Sequence, residues 1–257
     1  MSPLRRALLL AGLAAGLPAA RAQGLADTPI VLPRDFGAHP AQRIEWWYLT
    51  GWLEAGDGGL PYGFQITFFR SRTDVPADHP SRFAARQLLF AHAAATDLRA
   101  GRLRHDERIA RAGFGLAEAA VGDTDVRLRG WMLRRGGPVG AHHYLARIDA
   151  PDPRFALDLR FDATQPVLLQ GDAGWSRKGP APEQASRYLS EPQLAVSGTL
   201  QLDGRALTAR GTAWLDHEWS DTLLHPDAVG WDWIGINLAD GGALTAFRLR
   251  RRDGSSL

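Results

Sequence analysis

Short runs in which apolar and polar residues alternate with a period of two recur along the chain, separated by Gly, Pro, Asp and Asn. Sustained helical periodicity is nearly absent beyond the amino-terminal apolar segment, a pattern that predicts strands. The clearest run is 154–161, where Phe155, Leu157, Leu159 and Phe161 share one face while Arg154, Asp158 and Arg160 share the other with Ala156. Such a strand turns one side to a core and the other to water. Strands over 194–202 and 207–215 are joined by Asp203-Gly204, a pair that accepts the positive φ of a type I′ hairpin turn. A second hairpin pairs 46–53 with 62–69 across the loop 56–59, and further strands are predicted over 87–94, 125–133, 143–148, 231–238 and 243–250. The stretch 170–190, rich in Gly, Pro, Ser and charge, reads as a long loop lying over a barrel mouth or edge.

The start of the chain changes the picture of where the protein works. Arg5 and Arg6 precede the apolar run 7–13, and Ala20-Arg21-Ala22 offers a small-x-small cleavage site, so 1–22 reads as an export signal. The paired arginines suit a twin-arginine route as well as general secretion. The expected location is periplasmic or secreted. Losing Arg5, Arg6 and Arg21 leaves 27 basic against 28 acidic residues, interspersed, which removes the electrostatic footprint expected of a nucleic-acid binder. The chain has no cysteine, which excludes disulfides, thiol catalysis and a lipoprotein anchor, so stability must come from burial. No segment after the signal has the roughly 18 uninterrupted apolar residues of a spanning helix. A domain boundary is expected within 219–229, giving a first domain over 23–222 and the start of a second over 223–257, too few strands to close a barrel.

Two constellations carry candidate chemistry. In 213–220, strand pleating sends His217 and Trp219 to the face of Leu215, and Asp216 and Glu218 to the face of Trp214. An imidazole beside an indole on an apolar wall can act as an acid or base near neutral pH. In 230–238, Asp232 shares a face with Ile234, Ile236 and Leu238, surroundings that favour a protonated carboxyl; a turn or capping role is the bland alternative. Trp47, Tyr48, Gln65, His92, Asp216, Trp231 and Trp233 are candidate ligand-lining residues, with structural packing as the competing account of each. Neighbouring Asp216 and His217 cannot readily chelate one ion from an extended strand, and the other histidines lack a ligand spacing, so no metal is expected. There is no G-x-S-x-G elbow and no phosphate-binding glycine loop.

Glu45-Trp46-Trp47-Tyr48-Leu49-Thr50-Gly51, Gly63-Phe64-Gln65-Ile66-Thr67-Phe68-Phe69-Arg70, Phe90-Ala91-His92-Ala93-Ala94, Trp214-Leu215-Asp216-His217-Glu218-Trp219 and Gly230-Trp231-Asp232-Trp233 together resemble the AttH-type branch of the carotenoid 1,2-hydratase superfamily. The resemblance spans nearly the whole chain after the signal. It implies tandem lipocalin-like antiparallel β-barrels, the second incomplete in this chain, with a cavity for a hydrophobic ligand. It also implies that Asp216, His217 and Trp219 match an Asp-His-Asn-Trp pattern at the hydratase site, with Glu218 in place of Asn. On this reading Asp232 protonates an isoprenoid double bond, Trp219 faces the cation, His217 deprotonates the attacking water, and no cofactor is needed. The competing expectation is a non-catalytic lipid carrier or an accessory of an envelope transport system. A hydrolase ranks last for want of a nucleophile with a positioned base.

Overall fold

The computed structural model describes residues 28–56, 60–152, 154–222 and 224–257. The expected export signal, 1–22, therefore lies outside the described residues, as do residues 57–59 of the expected loop 56–59. Among the described residues there are fifteen strands: β1 (Ile44–Ala55), β2 (Leu60–Arg72), β3 (Gln87–Asp97), β4 (Arg102–Arg111), β5 (Ala117–Ala119), β6 (Asp125–Leu128), β7 (Trp131–Gly136), β8 (His143–Ala150), β9 (Phe155–Asp162), β10 (Leu168–Leu169), β11 (Trp175–Arg177), β12 (Ala185–Leu202), β13 (Arg205–Ser220), β14 (Ala228–Asn237) and β15 (Ala243–Arg251).

Thirteen of these make one antiparallel sheet in the order β4-β3-β2-β1-β13-β12-β9-β8-β7-β6-β5, with β10 and β11 also paired to β12. The sheet curls until β6 approaches β3 and β4. Arginines of β4 bridge the remaining gap: the Arg108 guanidinium lies 4.5 Å over the Trp131 ring and donates to the Asp149 carbonyl, while Arg104 pairs with Asp203. The fold is all-β and lipocalin-like. β14 and β15 form a separate two-stranded sheet.

Alternation accounts for the interior. Phe155, Leu157, Leu159 and Phe161 of β9 are all buried, and they join Leu49, Leu53, Phe64, Ile66, Leu133, Ile148 and Leu215 in one continuous core. Each such side chain taken from water contributes about 1.5–3 kcal/mol. This core lies inside the barrel. The Asp203-Gly204 turn has φ of 49° and 82°, as a type I′ hairpin requires. Close approach of β1 and β13 depends on glycine: a Cβ on Gly211 would lie 2.0 Å from the Trp52 carbonyl oxygen.

Two expectations are corrected. The segment 125–133 is a hairpin rather than one strand, because Arg129 and Gly130 adopt φ of 49° and 89° and turn the chain between β6 and β7. The stretch 170–190 is not one loop. It contains β11 and the start of β12, where Ala185 to Glu191 are all buried. That strand pairs with β13 on one side and with β10 and β11 on the other. Its polar side chains find buried partners, as in Ser186 donating to Glu218 and Ser190 donating to Asp216 at 2.5 Å. Hydrogen bonds inside the protein let it dispense with apolar alternation.

Candidate functional site

The paired row Ile44, Ser71 and Ser220, continued by Leu88 and Arg111, marks one end of the barrel. The segment ahead of β1 crosses this end. Its turn of 3-10 helix, Arg34–Phe36, buries Phe36, whose carbonyl accepts from Trp47 Nε1 at 3.2 Å and from Thr124 Oγ1 at 2.8 Å. The Arg135 guanidinium sits 4.0 Å over the Phe36 ring. Pinned this way, the segment delivers Asp35 and His39 onto the face of β1 and β13 that carries Glu45, Trp47, His217 and Trp219.

Glu45 is the hub. One carboxylate oxygen accepts from His39 Nδ1 at 2.7 Å and from His217 Nε2 at 2.8 Å; the other accepts from the His39 backbone amide and Arg70 Nε, both at 2.8 Å. Burial would raise the Glu45 pKa, but the His217 and His39 hydrogen bonds outweigh it and hold the carboxyl ionised. Burial is the dominant influence on His217 and lowers its pKa. The neutral ring donates through Nε2, leaving Nδ1 as a buried lone pair with no hydrogen-bond partner. His39 moves the opposite way: burial would lower its pKa, but the hydrogen bonds and charges of Asp35 and Glu45 outweigh it and raise it.

Aromatic rings fix these planes. His39 stacks on Trp219 with centroids 3.8 Å apart and planes within 6°, and Trp47 stacks on His217 at 4.7 Å. His217 and Trp219 are 4.9 Å apart on the shared face that pleating predicts. Outside the stack is an open cavity of about 210 Å³ bordered by Arg34, Asp35, His39, Val121, Arg187 and Trp219 among others. His39, Glu45 and His217 also offer donor atoms within 4.8 Å of one another, the set that could hold a divalent ion. The spacing of 2.7–2.8 Å is that of hydrogen bonds, and Arg70 already neutralises the carboxylate.

A model of the AttH-like family matches residues 23–257. The chain belongs to the AttH-like family. No curated protein matches it. The crystal structure of a protein designated AttH from Nitrosomonas europaea has 48% sequence identity and a TM-score of 0.79, with 89% of this chain and 67% of that one covered. Kievitone hydratase from Nectria haematococca is similar in fold, at 13% identity and a TM-score of 0.59, with 89% of this chain and 67% of that one covered.

In this AttH-like chain the other candidates lie elsewhere. Asp216 and Glu218 point away from His217, to the outer face of β13. There Asp216 accepts from Ser190 at 2.5 Å, from Trp214 Nε1 at 2.7 Å and from the Tyr188 hydroxyl. Burial pushes its pKa up to about 7 against these hydrogen bonds. The hairpin of β14 and β15 docks beside it, Trp233 Nε1 donating to the Tyr188 hydroxyl at 3.1 Å and its ring meeting Tyr48 edge-on at 5.6 Å. Lys178 pairs with Glu218 at 2.9 Å and lies 3.9 Å over the Phe247 ring. It is the chain's single lysine.

The expected apolar setting of Asp232 is not what the fold provides. Its neighbours across the hairpin are Arg248 and Arg250, which pair with it at 2.7 and 3.2 Å on a face 47% exposed. Trp231 is exposed too. Gln65 bonds to Thr67 on the outer face of β2, and His92 faces solvent beside Glu107, so neither approaches the cavity. Sequence reasoning passed over His39 and Asp35, while Arg70 takes a structural hydrogen-bonding role beside Glu45. His39 and Asp35 precede the first strand, and their role depends on the segment folding back across the barrel end; the one cue was the Glu45 carboxyl placed before an aromatic run.

Proposed function

We propose that this AttH-like protein is exported to the periplasm or beyond and binds a hydrophobic, isoprenoid or lipid-like molecule at the barrel end, where it adds water to a carbon–carbon double bond. One observation carries the reading: the His39 ring is stacked on Trp219 at the border of an open cavity and hydrogen-bonded to the Glu45 carboxylate. His39 protonates the alkene and Trp219 lies beside the developing tertiary cation, where a π face is favourable. Water adds to the cation and returns its proton to His39. Glu45 and His217 hold the ring in place. Asp232 has no part in this scheme, because its arginine partners keep it occupied away from the cavity.

Acyclic isoprenoids incubated with the protein in heavy-oxygen water test it. Label should enter the product, and His39→Gln should abolish incorporation while leaving the fold intact. Absence of label with every isoprenoid rejects hydration.

A second reading, a carrier or an accessory of an envelope transport system, is favoured by the complete burial of His217. Tight binding of the same isoprenoids without turnover, unchanged in His217→Asn, is its signature.

A further inference from the structure

The barrel end that bears the cavity also bears an aromatic pair that packs on nothing in the core. Phe83, in the connection between β2 and β3, is 69% exposed, and Phe114, between β4 and β5, is 52% exposed. Their rings stack at 5.5 Å with planes 5° apart. Two large apolar rings held together in water are costly unless something covers them, and contiguous exposed apolar surface marks a contact site. Leu116 and Val121, which flank β5, are exposed as well, at 47% and 69%, and Val121 borders the cavity.

The pair is held in place by charge. The Arg111 guanidinium lies 4.2 Å over Phe114 and 5.1 Å over Phe83, and its Nη1 donates to the Phe83 carbonyl at 2.7 Å. Arg82 and Arg86 are exposed in the same connection, Arg86 fixing it through the His79 carbonyl at 2.9 Å. Of the acidic groups at this end, Asp35 is sequestered by Arg34 and His39, and Asp221 lies 3.9 Å from Arg72. Asp74 and Asp78 are exposed in the connection itself. Aromatic rings that enter an interface while guanidinium groups remain at headgroup level suit an anionic lipid surface.

We propose that Phe83 and Phe114, with the arginines around them, form a membrane-contact patch that seats the cavity-bearing end of the barrel on an anionic bilayer surface. The two rings enter the headgroup boundary, and Arg82, Arg86 and Arg111 pair with lipid phosphates. The proposal goes beyond the reading of the cavity as a hydration site, and its test requires no knowledge of the ligand.

The test is co-sedimentation of the protein with vesicles of phosphatidylcholine alone and of phosphatidylcholine mixed in equal parts with phosphatidylglycerol. The protein should partition onto the anionic vesicles at low salt and weakly onto the neutral ones. The double variant Phe83→Ser, Phe114→Ser should lose about tenfold in partitioning. Both side chains are exposed, so its thermal midpoint should match the parent's. Equal partitioning of parent and variant, or no partitioning of the parent, overturns the proposal. A parent that is dimeric in solution and becomes monomeric in the variant also overturns it, because the patch would then be covered by a second copy. Failure here leaves label incorporation untouched, so the two readings stand or fall separately.

Discussion

A single carboxylate oxygen of Glu45 ties His39, which precedes the first strand, to His217 near the end of β13, at 2.7 and 2.8 Å. The Glu45–His217 bond spans 172 residues and joins β1 to β13, and the His39 bond ties the segment over the barrel end to that pair. Replacing Glu45 by Gln removes the charge that Arg70 and His39 need while they remain buried. Stranding a buried charge costs about 3–5 kcal/mol. Urea denaturation of Glu45→Gln should show a loss of that order, and the double variant with Arg70→Met should recover part of it. A loss under about 1 kcal/mol would mean that the cluster is solvated and the hub account is wrong.

Asp216 sets a pH dependence of its own. Burial raises its folded pKa to about 7, above the ordinary carboxyl range. The folded state therefore holds a proton that the unfolded state releases, and stability falls as pH rises from the ordinary carboxyl value toward 7. His39, also raised, adds a loss with the same sign as pH passes its folded value. Glu45 and Asp35 are lowered, so their contribution disappears only on strong acidification. The urea midpoint of the parent should drop between mildly acidic and mildly alkaline buffer, and Asp216→Asn should flatten most of that drop. An unchanged slope in the variant assigns the dependence to another group.

The sequence made the architecture legible where side chains alternate and turns carry Gly. The β9 pattern and the Asp203-Gly204 hairpin were readable for that reason, and so was the placement of His217 beside Trp219. Three features were hidden for physical reasons. β4 is rich in Arg, because as an edge strand it closes the barrel with charged side chains rather than with an apolar face. The start of β12 is polar because partners on β13 satisfy it internally. The acid–base group bordering the cavity, His39, comes from an irregular segment that no periodicity marks. Asp232 was misread for a related reason: alternation gave its face along β14, but its arginine neighbours lie across the hairpin on β15.

Gly211 tests whether the approach of β1 and β13 is required for closure. Its Cα is opposite Leu53, and an added methyl would meet the Trp52 carbonyl carbon at 2.9 Å as well as its oxygen at 2.0 Å. Backbone cannot yield as a flexible side chain can, so Gly211→Ala should cost about 1–3 kcal/mol, the range for overpacking. Gly204→Ala, with nothing within 4 Å but φ of 82°, should cost only the strain of its positive φ, roughly 1 kcal/mol. Chemical denaturation that ranks the two equally would show that β13 relaxes freely away from β1.

One tie between the hairpin of β14 and β15 and the barrel is a hydroxyl shared between two partners; Gln193 and Asn237 supply others at the far end of the hairpin. Tyr188 accepts from Trp233 Nε1 at 3.1 Å and donates to Asp216, so Tyr188→Phe leaves a buried indole N–H without its acceptor and removes one donor from the carboxyl. An unmade buried hydrogen bond costs about 1–3 kcal/mol. Because Gln193 and Asn237 still bond the far end of the hairpin to the barrel, the loss should be local: tryptophan emission shifts to the red and the connection 221–227 becomes easier to cleave, while the barrel's own unfolding midpoint moves less. Proteolysis unchanged in Tyr188→Phe would mean that ring packing against Tyr48 and Trp214, at 5.6 and 6.1 Å, holds the hairpin without the hydrogen bond.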